Sequence, residues 1–282
     1  MATVGDVMTS NPIVAQVPGS RQEVLKIMVQ HNLTGMPVVR RSDGSLAGMI
    51  TRQDIFDHPE EEQAAMIMRR EHPVISPSAS VEEAAKLLVE GTIRHLPVVD
   101  GNRLVGILTP TDLLCIVEKR GIDLPVEKVI RSPCVPIYQE APLAVASVTL
   151  RVSRSSALPV LDEHGRLTGI ITDRDIFNKS YTEGAEAVSA MGLNEEEGWS
   201  WEGLRNVMRL WYEVSKIELP GVPIKEIMVR DPTTVFKKTA ISEAARIMRK
   251  NDFGQLPVRD NKDRLLAMIY DHDIISVLVK EQ

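Results

Sequence analysis

The chain has 282 residues, of which 43% are hydrophobic and 26% are charged, and its formal net charge is -6. This composition is typical of a folded protein and excludes an intrinsically disordered chain. The mildly acidic balance argues against nonspecific binding to nucleic acid.

Cysteine content and hydropathy indicate the compartment. Cys115 and Cys134 are the two cysteines, and they show no metal-ligand spacing and cannot form a disulfide framework. No apolar run reaches the roughly 18 residues that a membrane-spanning helix needs. The first residues lack the basic region and apolar core of a signal peptide. We therefore expect a cytoplasmic protein without a membrane span.

The first repeat is predicted to have the order β-α-β-β-α. A short helical turn at 4–8 and a strand near 13–15 come before a helix that begins at a capping-box pattern, Ser20 with Glu23. Two apolar runs, 36–39 and 46–50, flank a Ser-Asp-Gly turn and predict a hairpin. A second helix follows.

The same order returns three times. Repeat 2 has a capping-box pattern at 80–83 and an Asp100-Gly101 turn, which is a strong hairpin signal. Repeat 3 has a helix from about 143 to 150 that is rich in Val and Thr and therefore locally weak. An apolar–Pro–Val step marks each repeat, at Pro37, Pro97, Pro159 and Pro257.

A longer spacing before the last step predicts an insertion. All three tryptophans fall in it, and residues 201–219 have the spacing of an amphipathic helix. This helix either packs on the repeats or forms a partner or dimer surface, where tryptophan is enriched. The predicted boundaries are 1–58, 62–120, 121–180 and 223–282 for the repeats, and 181–222 for the insertion.

A strand-to-helix corner also recurs. A threonine ends the strand and an aspartate follows three residues later, at Thr51 and Asp54, Thr109 and Asp112, and Thr172 and Asp175; in repeat 4 Tyr270 replaces the threonine before Asp273. The corner has two interpretations. It is a helix cap, or the helix N-terminus receives an anion while the carboxylate accepts hydrogen bonds from ribose hydroxyls.

The repeated unit, with its apolar–Pro–Val step and its closing GxxTxxD corner, resembles the cystathionine-beta-synthase (CBS) domain. Four tandem copies are similar to the regulatory gamma subunit of AMP-activated protein kinase and its archaeal stand-alone relatives. The resemblance implies an α+β fold in which repeats pair into two Bateman modules that form a flat disc. It also implies adenine nucleotides in the clefts.

The resemblance assigns roles to particular residues. The corner aspartates would hold ribose, and the three threonines would support the sugar–phosphate end. The basic pair Arg94-His95 would contact phosphate, with Arg52 and Arg174 as second choices. The first strand of each repeat would flank the base, mainly through backbone groups, at Ile13, Val14, Val74, Val135, Thr233 and Thr234.

The expected function is that of a regulatory sensor of AMP, ADP or ATP without catalytic activity, a cofactor or a metal. No nucleophile elbow, phosphate-binding Walker loop or metal-spaced cluster occurs in the sequence. The sensor would act on an unknown protein partner or through self-association, and nucleic acid is an unfavoured ligand. Two alternatives stay open: an interaction scaffold or nucleic-acid-associated regulator that binds no nucleotide, and a binder of S-adenosylmethionine.

Overall fold

The computed structural model describes residues 2–58, 61–91, 93–172, 174–176 and 222–279. The predicted amphipathic helix at 201–219 lies outside these residues. The described chain forms two compact units, one of Met1–Arg131, Lys238–Gly254 and Tyr270–Gln282, the other of Ser132–Lys237 and Gln255–Ile269. Repeat 4 is therefore shared between the two units.

Repeat 1 has the predicted order of elements, and repeat 2 has it except for the first strand, in whose place there is a single bridge between Ile75 and Val98. Repeat 1 contains a 3-10 helix (Val4–Asp6), β1 (Thr9–Ser10), β2 (Ala15–Val17), α1 (Arg21–Gln30), β3 (Gly35–Arg40), β4 (Leu46–Thr51) and α2 (Arg52–Asp57). After α3 (Ala64–Ile67), repeat 2 contains α4 (Val81–Glu90), β5 (Leu96–Asp100), β6 (Arg103–Leu108) and α5 (Pro110–Arg120).

Repeats 3 and 4 follow the same plan. Repeat 3 contains a 3-10 helix (Val126–Lys128), β7 (Ile137–Tyr138), α6 (Leu143–Ser153), β8 (Ala157–Leu161) and β9 (Leu167–Thr172), and residues 174–176 are helical. Repeat 4 contains a 3-10 helix (Ile224–Glu226), β10 (Val229–Arg230), β11 (Val235–Phe236), α7 (Ile241–Asn251), β12 (Gln255–Arg259), β13 (Leu265–Tyr270), α8 (Asp271–Ile275) and a last 3-10 helix (Ser276–Val279).

Local signals in the sequence fix several of these ends. The Ser20 N–H donates to Glu23 Oε2 at 2.9 Å, and the Glu23 N–H donates to Ser20 Oγ at 3.2 Å, so the predicted capping box is present. The β5–β6 hairpin turns at Gly101, whose φ of +60° suits glycine. Helix α6 runs three residues beyond the predicted end at 150 and is followed by Arg154, whose φ of +53° is left-handed and ends the helix.

Exchange of short strands pairs the repeats. Strand β1 of repeat 1 lies antiparallel to β6 of repeat 2, and β10 of repeat 4 lies antiparallel to β9 of repeat 3. A Cβ on Gly106 or Gly169 would overlap the sulfur of Met8 or Met228, which precede the exchanged strands. This close approach explains the glycine of the corner motif. The predicted pairing of the repeats is confirmed, and the strand exchange joins repeat 1 to repeat 2 and repeat 3 to repeat 4. The disc stays a prediction.

Aliphatic side chains fill both units. In the first unit α5 packs against α7 and α8, and α4 packs against α8 and the last 3-10 helix. In the second unit one cluster joins repeat 3 to the start of repeat 4: Ile137, Leu143, Ala146, Leu150, Leu158, Val160, Ile171, Ile176, Ile224 and Met228. No helix in the described residues is long and apolar enough to cross a membrane.

Candidate functional site

The three threonine corners have one geometry. In each, the threonine N–H and Oγ1 both donate to Oδ2 of the aspartate three residues later. The N–H distances are 2.8 Å to Asp54, 2.7 Å to Asp112 and 2.8 Å to Asp175. The hydroxyl distances are 2.5, 2.8 and 2.7 Å in the same order. Each aspartate therefore caps its own helix and keeps Oδ1 for another partner.

Asp112 has that second oxygen available. Its Oδ1 accepts no hydrogen bond from the described residues, and the side chain is half-buried. Burial raises the pKa of Asp112 above its usual value, although the two hydrogen bonds from Thr109 oppose this shift. The structure thus holds a carboxylate whose negative charge is poorly compensated, which is unusual for a group that serves only as a cap.

Asp175 repeats this arrangement in the second unit. Both hydrogen bonds from Thr172 go to Oδ2, and within the described chain Oδ1 accepts none. The residue is half-buried.

Asp54 differs from Asp112 and Asp175 because its carboxylate forms an ion pair with an arginine side chain. The Arg69 guanidinium donates through Nε to Asp54 Oδ1, so both carboxylate oxygens are engaged. The Asp54 side chain is 4% exposed and that of Arg69 is 57% exposed. Arg69 also exchanges two backbone hydrogen bonds with Met49 on β4, which fixes its position. The sequence analysis missed Arg69, since no motif marks it.

Removing this cation is expected to destabilise the first unit. Arg69→Gln leaves the Asp54 carboxylate buried with one oxygen unpaired, and we expect a loss of about 1 to 2 kcal/mol in the free energy of unfolding. Denaturant titration measures it. Arg70→Gln, which removes an equal charge from an exposed neighbour, is the control and is expected to change stability by less than about 0.5 kcal/mol. Equal effects of the two variants would contradict the assignment.

In the corner of repeat 4, both carboxylate oxygens of Asp273 accept hydrogen bonds from backbone N–H groups. Asp273 is buried, and it accepts the Tyr270 N–H on Oδ2 at 3.0 Å and the Arg131 N–H on Oδ1 at 3.3 Å. Tyr270 is buried and stacks on His272, with ring centroids 5.4 Å apart. The predicted ribose role of Asp273 stays a prediction, and a ligand there would have to displace the Arg131 N–H.

Arg94 of the predicted basic pair binds Asp271 of repeat 4. Its guanidinium donates through both terminal nitrogens, at 3.2 Å to Oδ1 and 2.6 Å to Oδ2. Asp271 is fully buried, while the Arg94 side chain is 44% exposed. Burial opposes the charge of Asp271, but His272 and Arg94 outweigh it, so the pKa of Asp271 lies below its usual value.

His95 faces repeat 1. Its Nε2 lies 3.1 Å from Thr34 Oγ1, and its carbonyl oxygen accepts a hydrogen bond from the His72 ring at 2.7 Å. Burial, followed by the charges of Arg94 and His72, lowers the pKa of His95 to about 4. His95 is therefore neutral at pH 7, and any contact it makes with phosphate would be that of a neutral hydrogen-bonding group.

This shift predicts a pH dependence of stability. As the pH falls from 6.5 toward 4, the unfolded state takes up a proton at this histidine and the folded state does not, so stability falls. The full contribution is on the order of 1 to 3 kcal/mol. His95→Gln is expected to flatten the stability profile between these pH values, and His31→Gln, at an exposed position, is the control. An unchanged slope in His95→Gln would refute the shift.

The residues predicted to flank a base lie just before the first strands. We expected strands near 13–15, 74–75, 135–137 and 233–236; the strands begin at Ala15, Ile137 and Val235, and repeat 2 has only a bridge between Ile75 and Val98. Those strand placements were wrong by up to two residues, because apolar spacing does not show where hydrogen bonding begins.

The proline of each apolar–Pro–Val step explains this offset. In repeat 2 the Ile75 N–H donates to Pro97 O, and the Val99 N–H donates to Ile75 O. The preceding rung would need an N–H from Pro97, which proline lacks. The equivalent register in the other repeats leaves the carbonyls of Ile13, Val135 and Thr233 without a ladder partner. Each repeat therefore has, just before its first strand or bridge, a short backbone edge with a carbonyl group that has no ladder partner; we call this the free backbone edge.

The remaining predicted cations lie beside the corners. Arg52 donates to Asn32 Oδ1 at 3.4 Å, and its N–H donates to Thr34 O at 3.0 Å, so it faces the same segment as His95. Arg174 is helical and lies between Thr172 and Asp175 of the repeat 3 corner.

Comparison with known proteins identifies the repeat. The CBS domain family matches residues 4–61, 64–119, 126–181 and 224–280. The chain belongs to the CBS domain family. The CBS repeats account for most of its length, and the resemblance given by the corner and the proline step is confirmed.

Solved structures share the four-repeat CBS architecture. An uncharacterized conserved protein from Pyrococcus horikoshii is 27% identical, with a TM-score of 0.68 over 98% of this chain and 100% of that one. Protein MJ1225 from Methanocaldococcus jannaschii is described as a proposed archaeal homologue of g-AMPK. It is 22% identical, with a TM-score of 0.76 over 98% of this chain and 99% of that one. At this identity the likeness shows the fold alone.

Similarity to enzymes is partial. Homoserine O-acetyltransferase from Methanococcoides burtonii is 35% identical over 113 residues, which are 40% of this chain and 23% of that enzyme. The match thus concerns a small part of the enzyme. Within the described residues, no group of three or more His, Cys, Asp or Glu side chains is arranged to hold a metal ion.

Proposed function

We propose that this CBS protein is a regulatory sensor that binds adenine nucleotides, AMP, ADP or ATP, and has no catalytic activity. The observation that carries the proposal is the Thr109–Asp112 corner. There a half-buried carboxylate with a raised pKa keeps one oxygen without a partner in the described chain. A ribose diol supplies two O–H donors to such an oxygen and compensates its charge.

The free backbone edges support a base beside the ribose. An adenine ring offers an amino donor, and a backbone carbonyl without a ladder partner can accept a hydrogen bond from it. In repeats 1 and 2 the side chains there are apolar and partly exposed, with Ile13 40% and Val74 44% exposed. Burying these surfaces against a flat ring is favourable.

Arg94 would couple nucleotide binding at repeat 2 to the structure of repeat 4. Its guanidinium is exposed enough to meet phosphate, but it is already bound to Asp271. A nucleotide phosphate would compete with that carboxylate for the same fork, so occupancy at repeat 2 would alter the first turn of α8 in repeat 4. A ligand shifts an equilibrium only through such a difference in contacts.

The corners predict unequal sites. Asp112 and Asp175 each keep an unshared oxygen, whereas Asp54 is bound by Arg69 and Asp273 by the Arg131 N–H. We therefore propose that two of the four corners bind ribose, and that the nucleotide state is passed to a protein partner or to a second copy of the chain.

Isothermal titration calorimetry with AMP, ADP, ATP and S-adenosylmethionine tests the proposal. We expect saturable binding of at least one adenine nucleotide with a stoichiometry near two. If only S-adenosylmethionine binds, the proposed ligand changes from an adenine nucleotide to this other adenosine compound. Absence of heat and of a thermal shift with all four compounds would reject an adenosine-binding function.

A further inference from the structure

A cationic groove lies between the hairpin turns of repeats 3 and 4, within the second compact unit. It encloses about 710 Å³ and is lined by residues 164–167 of the β8–β9 turn and by Arg259, Asp260 and residues 262–266 of the β12–β13 turn. Four of these side chains are basic, Arg166, Arg259, Lys262 and Arg264, and two are acidic, Asp260 and Asp263. The groove is therefore positive in a chain whose net charge is -6.

Both turns are built rigidly and alike. Asp162 Oδ1 accepts the N–H groups of His164 and Arg166 at 2.9 and 2.8 Å. Asp260 Oδ1 accepts those of Lys262 and Arg264 at 2.8 and 3.0 Å. Such side-chain-to-backbone bonds fix the turn, so the cations start from defined backbone positions.

The cations are incompletely neutralised. Arg264 binds Asp260 Oδ2 through Nε at 2.9 Å and a terminal nitrogen at 2.7 Å, and Arg259 binds Asp263 Oδ1 at 2.8 Å. Arg166 and Lys262 form no ion pair with another described residue. The Arg259 Nε is buried without a hydrogen-bond partner among the described residues. An anion that drew Arg259 toward it would add hydrogen bonds to those now made.

The equivalent hairpins of repeats 1 and 2 are in direct contact. There Ser45 forms a β-bridge with Arg103, and the Leu46 N–H lies 3.4 Å from Asn102 O, so the two turns are joined by backbone. Between the turns of repeats 3 and 4 no hydrogen bond occurs within the described residues. Within the described residues, the hairpin turns of repeats 3 and 4 therefore lack the backbone connection that joins those of repeats 1 and 2.

We propose that this groove binds an oligophosphate, an anion with several linked phosphoryl groups, without recognising a base. Guanidinium groups match phosphate oxygens in pairs, and several cations in one groove suit a chain of charges. The described residues that line the groove include no Phe, Tyr or Trp, so these residues offer no stacking surface of the kind that single-stranded nucleic acids require. The site is separate from the threonine–aspartate corners and does not depend on the proposed nucleotide function.

Calorimetry with inorganic tripolyphosphate at low ionic strength tests the groove. Arg166→Gln combined with Lys262→Gln is expected to weaken binding at least tenfold. The matched control is Arg41→Gln combined with Arg103→Gln, which removes the same charge from the hairpins of repeats 1 and 2. This control is expected to change the affinity for tripolyphosphate less than twofold. Added KCl should weaken binding to the wild-type protein.

Three further measurements complete the test. Saturating AMP should not displace tripolyphosphate, and the groove variant should bind AMP as the wild type does. ATP titrated in the presence of saturating AMP shows whether the phosphate tail of a nucleotide also enters the groove. The proposal is rejected if tripolyphosphate fails to bind, if both double variants lose equal affinity, or if AMP displaces it.

Discussion

Asp112→Asn is expected to weaken AMP binding by about 10- to 100-fold. The amide keeps one oxygen for the Thr109 N–H but replaces the free carboxylate oxygen by a donor, which cannot accept from a ribose hydroxyl. Hydrogen bonds to charged groups contribute about 1.5 to 3 kcal/mol, and each 1.4 kcal/mol is about tenfold in affinity. Calorimetric titration of the variant with AMP measures the change.

The same substitution is expected to leave stability unchanged or to increase it. The folded pKa of Asp112 lies above its ordinary value of 3.8. The carboxyl group therefore stabilises the fold below its unfolded pKa, and this contribution is lost as the pH rises through the folded pKa. At neutral pH the charged carboxylate lowers the stability of the fold, and the neutral amide removes this effect.

Asp54→Asn is the matched control at the equivalent corner. Because Arg69 pairs with Asp54, this variant should lose stability and have little effect on AMP affinity. A pure capping role for Asp112 predicts the opposite pattern for Asp112→Asn, with about 1 kcal/mol of stability lost and AMP affinity retained. That result would contradict the ribose assignment.

Arg94→Gln is expected to destabilise the protein more than Asp271→Asn. Removing the arginine leaves a fully buried carboxylate without its cation, whereas removing the carboxylate leaves an arginine that is 44% exposed and can be hydrated. Loss of a partner from a buried ion pair costs about 3 to 5 kcal/mol. Because Arg94 is partly solvated, we expect about 2 to 3 kcal/mol for Arg94→Gln and about 1 to 2 kcal/mol for Asp271→Asn.

A double-mutant cycle checks this pair. The double variant should lose about 1 to 2 kcal/mol less than the sum of the single losses, since the two groups are in direct contact. The pKa of Asp271 is lowered in the fold, so its contribution is present above its unfolded pKa and is lost as the pH falls through the folded pKa. The exposed pair Arg249 and Glu118, with an N–O distance of 2.7 Å, is the comparison and should couple by less than about 1 kcal/mol. Equal coupling in the two pairs would refute the argument from burial.

The sequence predicted the repeated unit because its signals are local. The apolar–Pro–Val step, the turn residues of the hairpins and the threonine–aspartate cap act within a few residues. For this reason the three threonine corners and the hairpins could be predicted from the sequence, whereas the pairing of repeats was expected only from the resemblance to CBS domains. The first strands were misplaced because their limit depends on the missing N–H of a proline in another strand.

The strand-to-helix corner occurs four times in the sequence, but the four corners are not equivalent as binding sites. Its chemistry is decided by residues that are distant in the chain: Arg69 neutralises Asp54, and the Arg131 N–H satisfies Asp273. Asp271 engages Arg94 from 177 residues away. The sequence alone predicted which groups are candidates for binding a nucleotide. Only the tertiary structure decided which of them are already bound, because burial and charge partners depend on packing between elements and not on spacing within them.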